Sequence, residues 1–483
     1  MDTDPLLLPH AFDLLSYVLV FAIAIGLVAI LIGLYRNPLV AVAVVLGVAV
    51  WEAAAYALDP FELGLYVYPY DIVFACIGLV VLLRIAFVPG ATRGVPRTLV
   101  VLLSLMAVSF ALGLARYGTR AGVEFRGDFY LWVGCLYLMT FPPEKTWLDR
   151  LLTWWTFAAF LLCIVVWYRW TADAFGLTWF EPIWRFADST GVSFNRVAPA
   201  EVAFALGLAA LISIVTIASG RASAVHFILL PALLMNIVVL QHRSVWVATL
   251  VPMLLLLVLL RGVRRQSGRM PLVAAVASVL VVVAVLGSGV LSGVESSVAE
   301  QAVSATSTTS GTFVSRVEGW RALLEQWSDS GPVGLLIGQP YGSGFERYQG
   351  GTWGGTAVTY SPHNYFVSIL LRTGLLGLSA FALLLWGLLR AGLVRSDTNA
   401  RFGRPLVGAI TASVLLYSIP YRPTTASGLL LGAALCYAYG LRAAATLRQD
   451  VEADSAPTAA GPAGADDHTA VPKLAGVRRG DPV

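Results

Sequence analysis

Lysine is almost missing from this 483-residue chain: Lys145 and Lys473 are the only two, so arginine supplies nearly all of the positive charge. Charge of either sign is scarce too, at 12% of residues against 58% hydrophobic, with a mean hydropathy of +0.77. That balance points away from a water-soluble protein and from a nucleic-acid partner. The four cysteines, Cys76, Cys135, Cys163 and Cys436, all fall inside apolar segments, which excludes a disulfide framework outside a membrane and leaves them as small core residues. The start, MDTDPLLLPHAFD, has no basic n-region, so no cleavable signal is expected. A Walker-type phosphate loop is also lacking, because the glycine-rich GQPYGSGFERYQGGTWGGT is not followed by the required Lys and Ser or Thr.

What the chain does have is apolar runs of about 20 residues, each long enough to cross a hydrocarbon core of about 30 Å. They fall near 12–34, 38–58, 67–87, 97–115, 127–141, 151–168, 198–218, 223–241, 245–260, 271–291, 363–389, 405–420 and 424–441. An exposed backbone in lipid must satisfy its own hydrogen bonds, and the runs are too long for barrel strands, so helices are expected. The predicted fold class is an all-α polytopic integral membrane protein with about 12–13 transmembrane helices and one large periplasmic loop, GT-C-like in outline. Residues 1–291 would hold helices one to ten, 292–360 the loop with an amphipathic helix near 312–328, 361–446 the last helices, and 447–483 a disordered cytoplasmic tail rich in Ala, Pro, Gly and Asp. Arginine clusters such as Arg261, Arg264, Arg265 and Arg269 place one set of loops in the cytoplasm. The short segment 127–141 decides the count: if it did not span, the first four helices would invert.

The informative residues break the charge rule. Arg116, Arg120, Arg126, Arg169, Arg185, Arg196, Arg243, Arg316, Arg321, Arg347 and Arg422 fall on the outer side, without a lysine. A guanidinium binds phosphate through two parallel bonds, so this face suggests an anionic phosphate ligand. With lysine so rare throughout, each arginine also has a bland reading as an ordinary surface charge. Arg243 is the hardest to read that way, because QHRSVW (241–246) must be a very tight turn between two spans, where an arginine is costly unless an anion or carbonyl cluster receives it. Clustered outer carboxylates are lacking, so no metal or other cofactor is expected.

In TFVSRVEGWRALLEQW (312–327) the apolar Phe313, Val317, Trp320, Leu324 and Trp327 recur at helical spacing, and Arg316 borders that face. Arg321 and Glu325 are spaced for an i, i+4 pair on the exposed face. In SPHNYFVSILLRTGLLG (361–377), Ser361 is the expected N-cap, Pro362 the first helical residue, and His363 a first-turn residue. The positive helix end disfavours imidazolium, so His363 is predicted neutral, able to take a proton beside an anion site; an interfacial anchor is its bland alternative.

In order and spacing, QHRSVW, SRVEGW, GSGF and SPHNYFVSILLRTGLLG resemble the O-antigen ligase and O-antigen polymerase superfamily of bacterial membrane glycosyltransferases, over about residues 190–390. The resemblance implies transfer of a glycan from an undecaprenyl diphosphate donor to a sugar hydroxyl, on lipid A core or on a lipid-linked glycan, at the periplasmic face of the bacterial inner membrane. It implies a metal-independent enzyme, with Arg243 and Arg316 on the diphosphate and His363 on the acceptor or diphosphate; a single displacement at the anomeric carbon is expected to be inverting. Asn364, Arg196, Asn195, Glu201, His242, Trp320 and Arg347 are the candidate substrate contacts, and Glu201 is also an alternative base. Membrane lipids, a glycan flippase and a chain-length regulator are the expected partners. One departure stands out: many members carry Glu where this chain has Arg372. The alternative class, a polysaccharide or lipid-linked oligosaccharide transporter, would call for ionisable pairs at the bilayer midplane and an internal repeat. No repeat is evident, and few ionisable residues (Asp71, Arg84, Arg372) fall within the predicted spans.

Overall fold

The computed structural model describes residues 7–55, 61–62, 66–174, 184–187, 193–261, 269–288, 312–348, 357–359, 362–394, 403–423 and 425–440. The expected tail and most of the first half of the large loop lie outside them.

Among the described residues, thirteen helices coincide with the thirteen apolar runs. They are α1 (Leu7–Arg36), α2 (Pro38–Ala55), α3 (Pro69–Phe87), α4 (Arg97–Tyr117), α5 (Thr119–Met139), α6 (Lys145–Ala174), α7 (Ala200–Ala218), α8 (Ala224–Val239), α9 (Arg243–Arg261) and α10 (Arg269–Gly287), then α13 (Tyr365–Leu393), α14 (Arg404–Ser418) and α15 (Thr425–Leu435). Between α10 and α13 stand α11 (Thr312–Ser328) and the short α12 (Gly331–Ile337). Among the described residues, the only strands form three short antiparallel hairpins, β1–β2, β3–β4 and β5–β6, each in a connection. Among the described residues, six helices are by themselves long and apolar enough to cross a membrane. The chain is an all-α polytopic membrane protein.

Helix α5 covers the doubtful segment and is longer than its apolar run: 21 residues, about 31 Å at 1.5 Å per residue. Its first two turns carry Arg120, Glu124 and Arg126, which hid them from a hydropathy reading. Packing explains how such a polar helix end is tolerated. α15 lies against α5, and Gly428 and Gly432, one turn apart, let the backbones meet: a Cβ on Gly428 would come within 2.3 Å of the Leu131 carbonyl oxygen. Of those six long apolar helices, α7 is the most enclosed, packed by α6, α8, α9, α10 and α14.

Helix α13 is broken at Gly374, whose φ of 62° and ψ of −165° leave the helical region. Only glycine adopts this conformation without strain, and α12 presses so close that a Cβ there would come within 2.3 Å of Leu336.

The packed face of α11 differs from the periodicity reading. Leu323 is fully buried and, with Trp320, Trp327, Phe345, Val367 and Leu371, forms a small separate core, whereas Val317 and Leu324 are exposed. The side chain of Phe313 lies outside the described residues. The spacing could equally place Leu323 or Leu324 inside; contact with α13 selects Leu323. The Arg321–Glu325 pair is present at 3.3 Å on the solvent side.

Candidate functional site

The turn between α8 and α9 is as tight as its sequence requires. Leu240 caps α8, Gln241 takes a left-handed φ of 56°, and Arg243 opens α9. The His242 carbonyl receives the Val245 and Trp246 amides, at 2.8 and 3.2 Å, and the buried His242 ring donates from Nε2 to the Ala198 carbonyl at 3.0 Å. Arg169 of α6 donates to the adjacent Val197 carbonyl at 2.9 Å. Two side chains thus clamp the short segment that leads into α7, fixing where Glu201 emerges. Arg243 is half-buried in the first turn of α9, where a cation opposes the helix dipole; that placement suits an arginine and backbone N–H groups sharing one anion.

The start of α13 corrects the sequence expectation. Asn364, not Ser361, is the N-cap: its Oδ1 accepts the Val367 amide at 3.1 Å, and its carbonyl accepts from the Ser368 amide and hydroxyl, each at 3.0 Å. Asn364 is therefore nearly buried with its oxygens occupied. His363 is pushed one position outside the helix, exposed, with a φ of 46°. A non-glycine residue held in the left-handed region costs of order 1–3 kcal/mol, and such strain concentrates at functional sites. The Trp132 indole donates to the Tyr365 hydroxyl at 2.9 Å and anchors the first turn.

One hydrogen bond joins two of the motifs. Trp320 of α11 donates from Nε1 to the Pro362 carbonyl at 2.6 Å, next to His363. Arg316, one turn earlier on the same helix, lays its guanidinium over the Tyr421 ring with 5.3 Å to the centroid. The next residue, Arg422, meets Asp128 at 3.8 Å and the Glu124 carbonyl at 3.3 Å. Arg316 and His363 are thereby held by one helix at the same end of the bundle. Arg243 reaches that end by another route: the neighbouring His242 bonds Ala198 just before α7, and Phe204 near the start of that helix stacks on Tyr417 near the end of α14, with ring centroids 3.9 Å apart.

Asn195 and Arg196 lie on β4, paired across the hairpin with Arg185 and Trp184, and Arg347 lies on β5 opposite Val358. Their side chains are outside the described residues.

Several polar residues escaped the sequence reading. A cavity of about 470 Å³ opens between α2, α3, α5, α6, α7 and residues 422–426, lined by Glu52, Tyr70, Tyr130, Glu201, Arg422 and Thr425 among apolar neighbours. Glu201 was a candidate; Glu52 and Tyr70 were not, because each stands alone at the end of an apolar run. Glu124 and Asp128, spaced i, i+4 on α5, were the available signal for a buried acidic stripe.

Arg372 has a defined duty. Only 1% exposed, it bonds Glu124 and the Ser343 hydroxyl, donates to the Gly344 carbonyl at 2.8 Å and the Pro340 carbonyl at 3.2 Å, and stacks on Phe345 at 4.3 Å. Glu124 in turn accepts the Gly342 amide at 2.8 Å. The QPYGSGF loop is thus tied into the bundle between α5 and α13.

Residues 226–382 match the family model described as O-antigen ligase, a span holding the QHRSVW, SRVEGW, GSGF and SPHN motifs. The match supports the resemblance to the O-antigen ligase and polymerase superfamily. A search of curated proteins found no match.

Proposed function

We propose that this chain is a membrane glycosyltransferase of O-antigen ligase or polymerase type, moving a glycan from undecaprenyl diphosphate to a sugar hydroxyl at the periplasmic face of the bacterial inner membrane. Arg243 and Arg316 hold the diphosphate; His363 faces the incoming hydroxyl. As the bond between the anomeric carbon and the phosphate oxygen breaks, negative charge grows on the leaving diphosphate, and fixed guanidinium groups stabilise that state more than the ground state. His363 takes the proton of the attacking hydroxyl while the new glycosidic bond forms on the opposite face of the sugar, which inverts the anomeric centre. The step needs no metal ion.

The observation that carries this reading is the Trp320–Pro362 hydrogen bond, which couples the helix bearing Arg316 to the strained His363. A transporter would call for ionisable pairs lining a path at the bilayer midplane. Among the described residues, the ionisable pairs inside the bundle, Arg372–Glu124, Arg422–Asp128 and Arg126–Asp71, all gather on the first half of α5.

The test is purified protein in proteoliposomes with its lipid-diphosphate glycan. Chain growth on that substrate alone identifies a polymerase, and transfer only after lipid A core is added identifies a ligase. No transfer under either condition overturns the proposal. In the same assay Arg316→Ala should lose at least about 100-fold in rate, whereas Arg321→Ala, whose surface pair contributes at most about 1 kcal/mol, should stay within about twofold. Equal losses would remove Arg316 from the site.

A further inference from the structure

The cavity bounded by α2, α3, α5, α6 and α7 has a chemistry that does not match the diphosphate. Its about 470 Å³ falls in the range of small-molecule sites, roughly 300–1,000 Å³. Within Ala200–Ile217 of α7, the two residues left unburied are Glu201 and Ala205, one turn apart, and both line this cavity. A helix that is otherwise almost wholly buried therefore opens a carboxylate onto it. Glu52 of α2 and Tyr70 of α3 line the same space, so two carboxylates and a phenol hydroxyl face one cavity. One guanidinium, that of Arg422, reaches the cavity, and it is already engaged by Asp128 and the Glu124 carbonyl. The cavity thus offers hydrogen-bond acceptors and two aromatic rings, Tyr70 and Tyr130, tilted with their centroids 6.1 Å apart.

An anion would meet repulsion from Glu52 and Glu201. A neutral ligand rich in vicinal hydroxyls would not: each hydroxyl donates to a carboxylate oxygen, and the apolar face of a sugar ring packs on tyrosine. The reducing-end sugar of the donor is a poor occupant, because its own diphosphate would sit one bond away. An acceptor saccharide carries no such charge beside its attacking hydroxyl. The cavity adjoins the proposed diphosphate site, because Arg422 lines it and Tyr421 beneath Arg316 is the preceding residue. We propose that this cavity is the acceptor-saccharide site, with Glu52 and Glu201 reading its hydroxyls. The assignment of acceptor rests on the glycosyltransferase reading; the assignment of a saccharide does not.

Two measurements on the full-length protein in detergent or proteoliposomes test it. In transfer assays, Glu201→Gln and Glu52→Gln should each raise the acceptor KM by roughly 10-fold to 100-fold, the loss expected when a charged hydrogen bond is removed, with the donor KM unchanged. Unchanged acceptor KM, or a rise in donor KM instead, overturns the proposal. A wild-type melting temperature in each variant guards against a folding defect. Separately, Glu52 and Glu201 are coupled to an amine by a water-soluble carbodiimide and the modified peptides are quantified. Free glucose or N-acetylglucosamine at tens of millimolar should protect both, and undecaprenyl diphosphate should not. Protection by the lipid alone makes the cavity a carrier-lipid pocket, and protection by neither ligand makes it empty of function; both overturn the proposal. If wild-type protein transfers nothing but the sugars protect, the glycosyltransferase reading falls and the saccharide site stands.

Discussion

Arg243→Ala should lower glycan transfer by about 100-fold to 1,000-fold, the range for removing one preorganised donor from a developing anion. The loss should appear mainly in kcat, because the guanidinium acts on charge that grows as the diphosphate leaves. Arg243→Lys should recover little, since an ammonium lacks the planar fork that meets two phosphate oxygens at once. Its position in the first turn of α9 leaves no slack: Gln241 is already left-handed, and His242 is pinned to Ala198. His363→Ala should lose about 100-fold to 10,000-fold if the imidazole moves a proton. His363→Gln separates the two duties open to this side chain, because glutamine still donates to a phosphate oxygen but does not accept the proton. Activity near wild type in His363→Gln would make the residue a phosphate ligand. Full activity in Arg243→Ala would overturn the assigned site.

Arg372→Leu should be among the most destabilising single substitutions in the chain. It strands Glu124 without its cation, and breaking a buried pair from one side costs about 3–5 kcal/mol. It also releases the loop carbonyls of Pro340 and Gly344. Glu124→Leu should behave similarly, while the double substitution should regain part of the loss, because neither charge is then buried alone. Thermal unfolding in detergent measures all three. Full recovery in the double variant would mean that the loop bonds contribute nothing; additive losses would mean that the pair is not coupled.

The sequence-level reading and the tertiary structure part at identifiable places. Thirteen apolar runs foretell thirteen helices because hydrophobic length is a local property that needs no partner. QHRSVW announces a tight turn for the same reason. The capping residue of α13 was misplaced by three positions. Ser361, Pro362 and Asn364 all suit a helix start, and the choice fell to Asn364, whose Oδ1 reaches the Val367 amide while α11 holds the Pro362 carbonyl. The buried face of α11 was misread by one residue for a related reason: an amphipathic stripe does not name its partner, and α13 takes Leu323.

The polar interior of the membrane domain was the least legible. Glu124 and Asp128 lowered the hydropathy of their helix and so shortened its predicted span, although both are drawn inward by arginines nearly 250 and 300 residues away, Arg372 and Arg422. By itself the sequence determined the membrane class, the helices and the motif residues Arg243, Arg316 and His363, because these depend on composition, spacing and local turn chemistry. Only the tertiary structure decided that Trp320 brings α11 to His363, that Arg372 anchors a loop, and that Glu52 and Glu201 face one cavity. Those contacts join residues far apart in the chain, and the charge complementarity that selects them has no period along it.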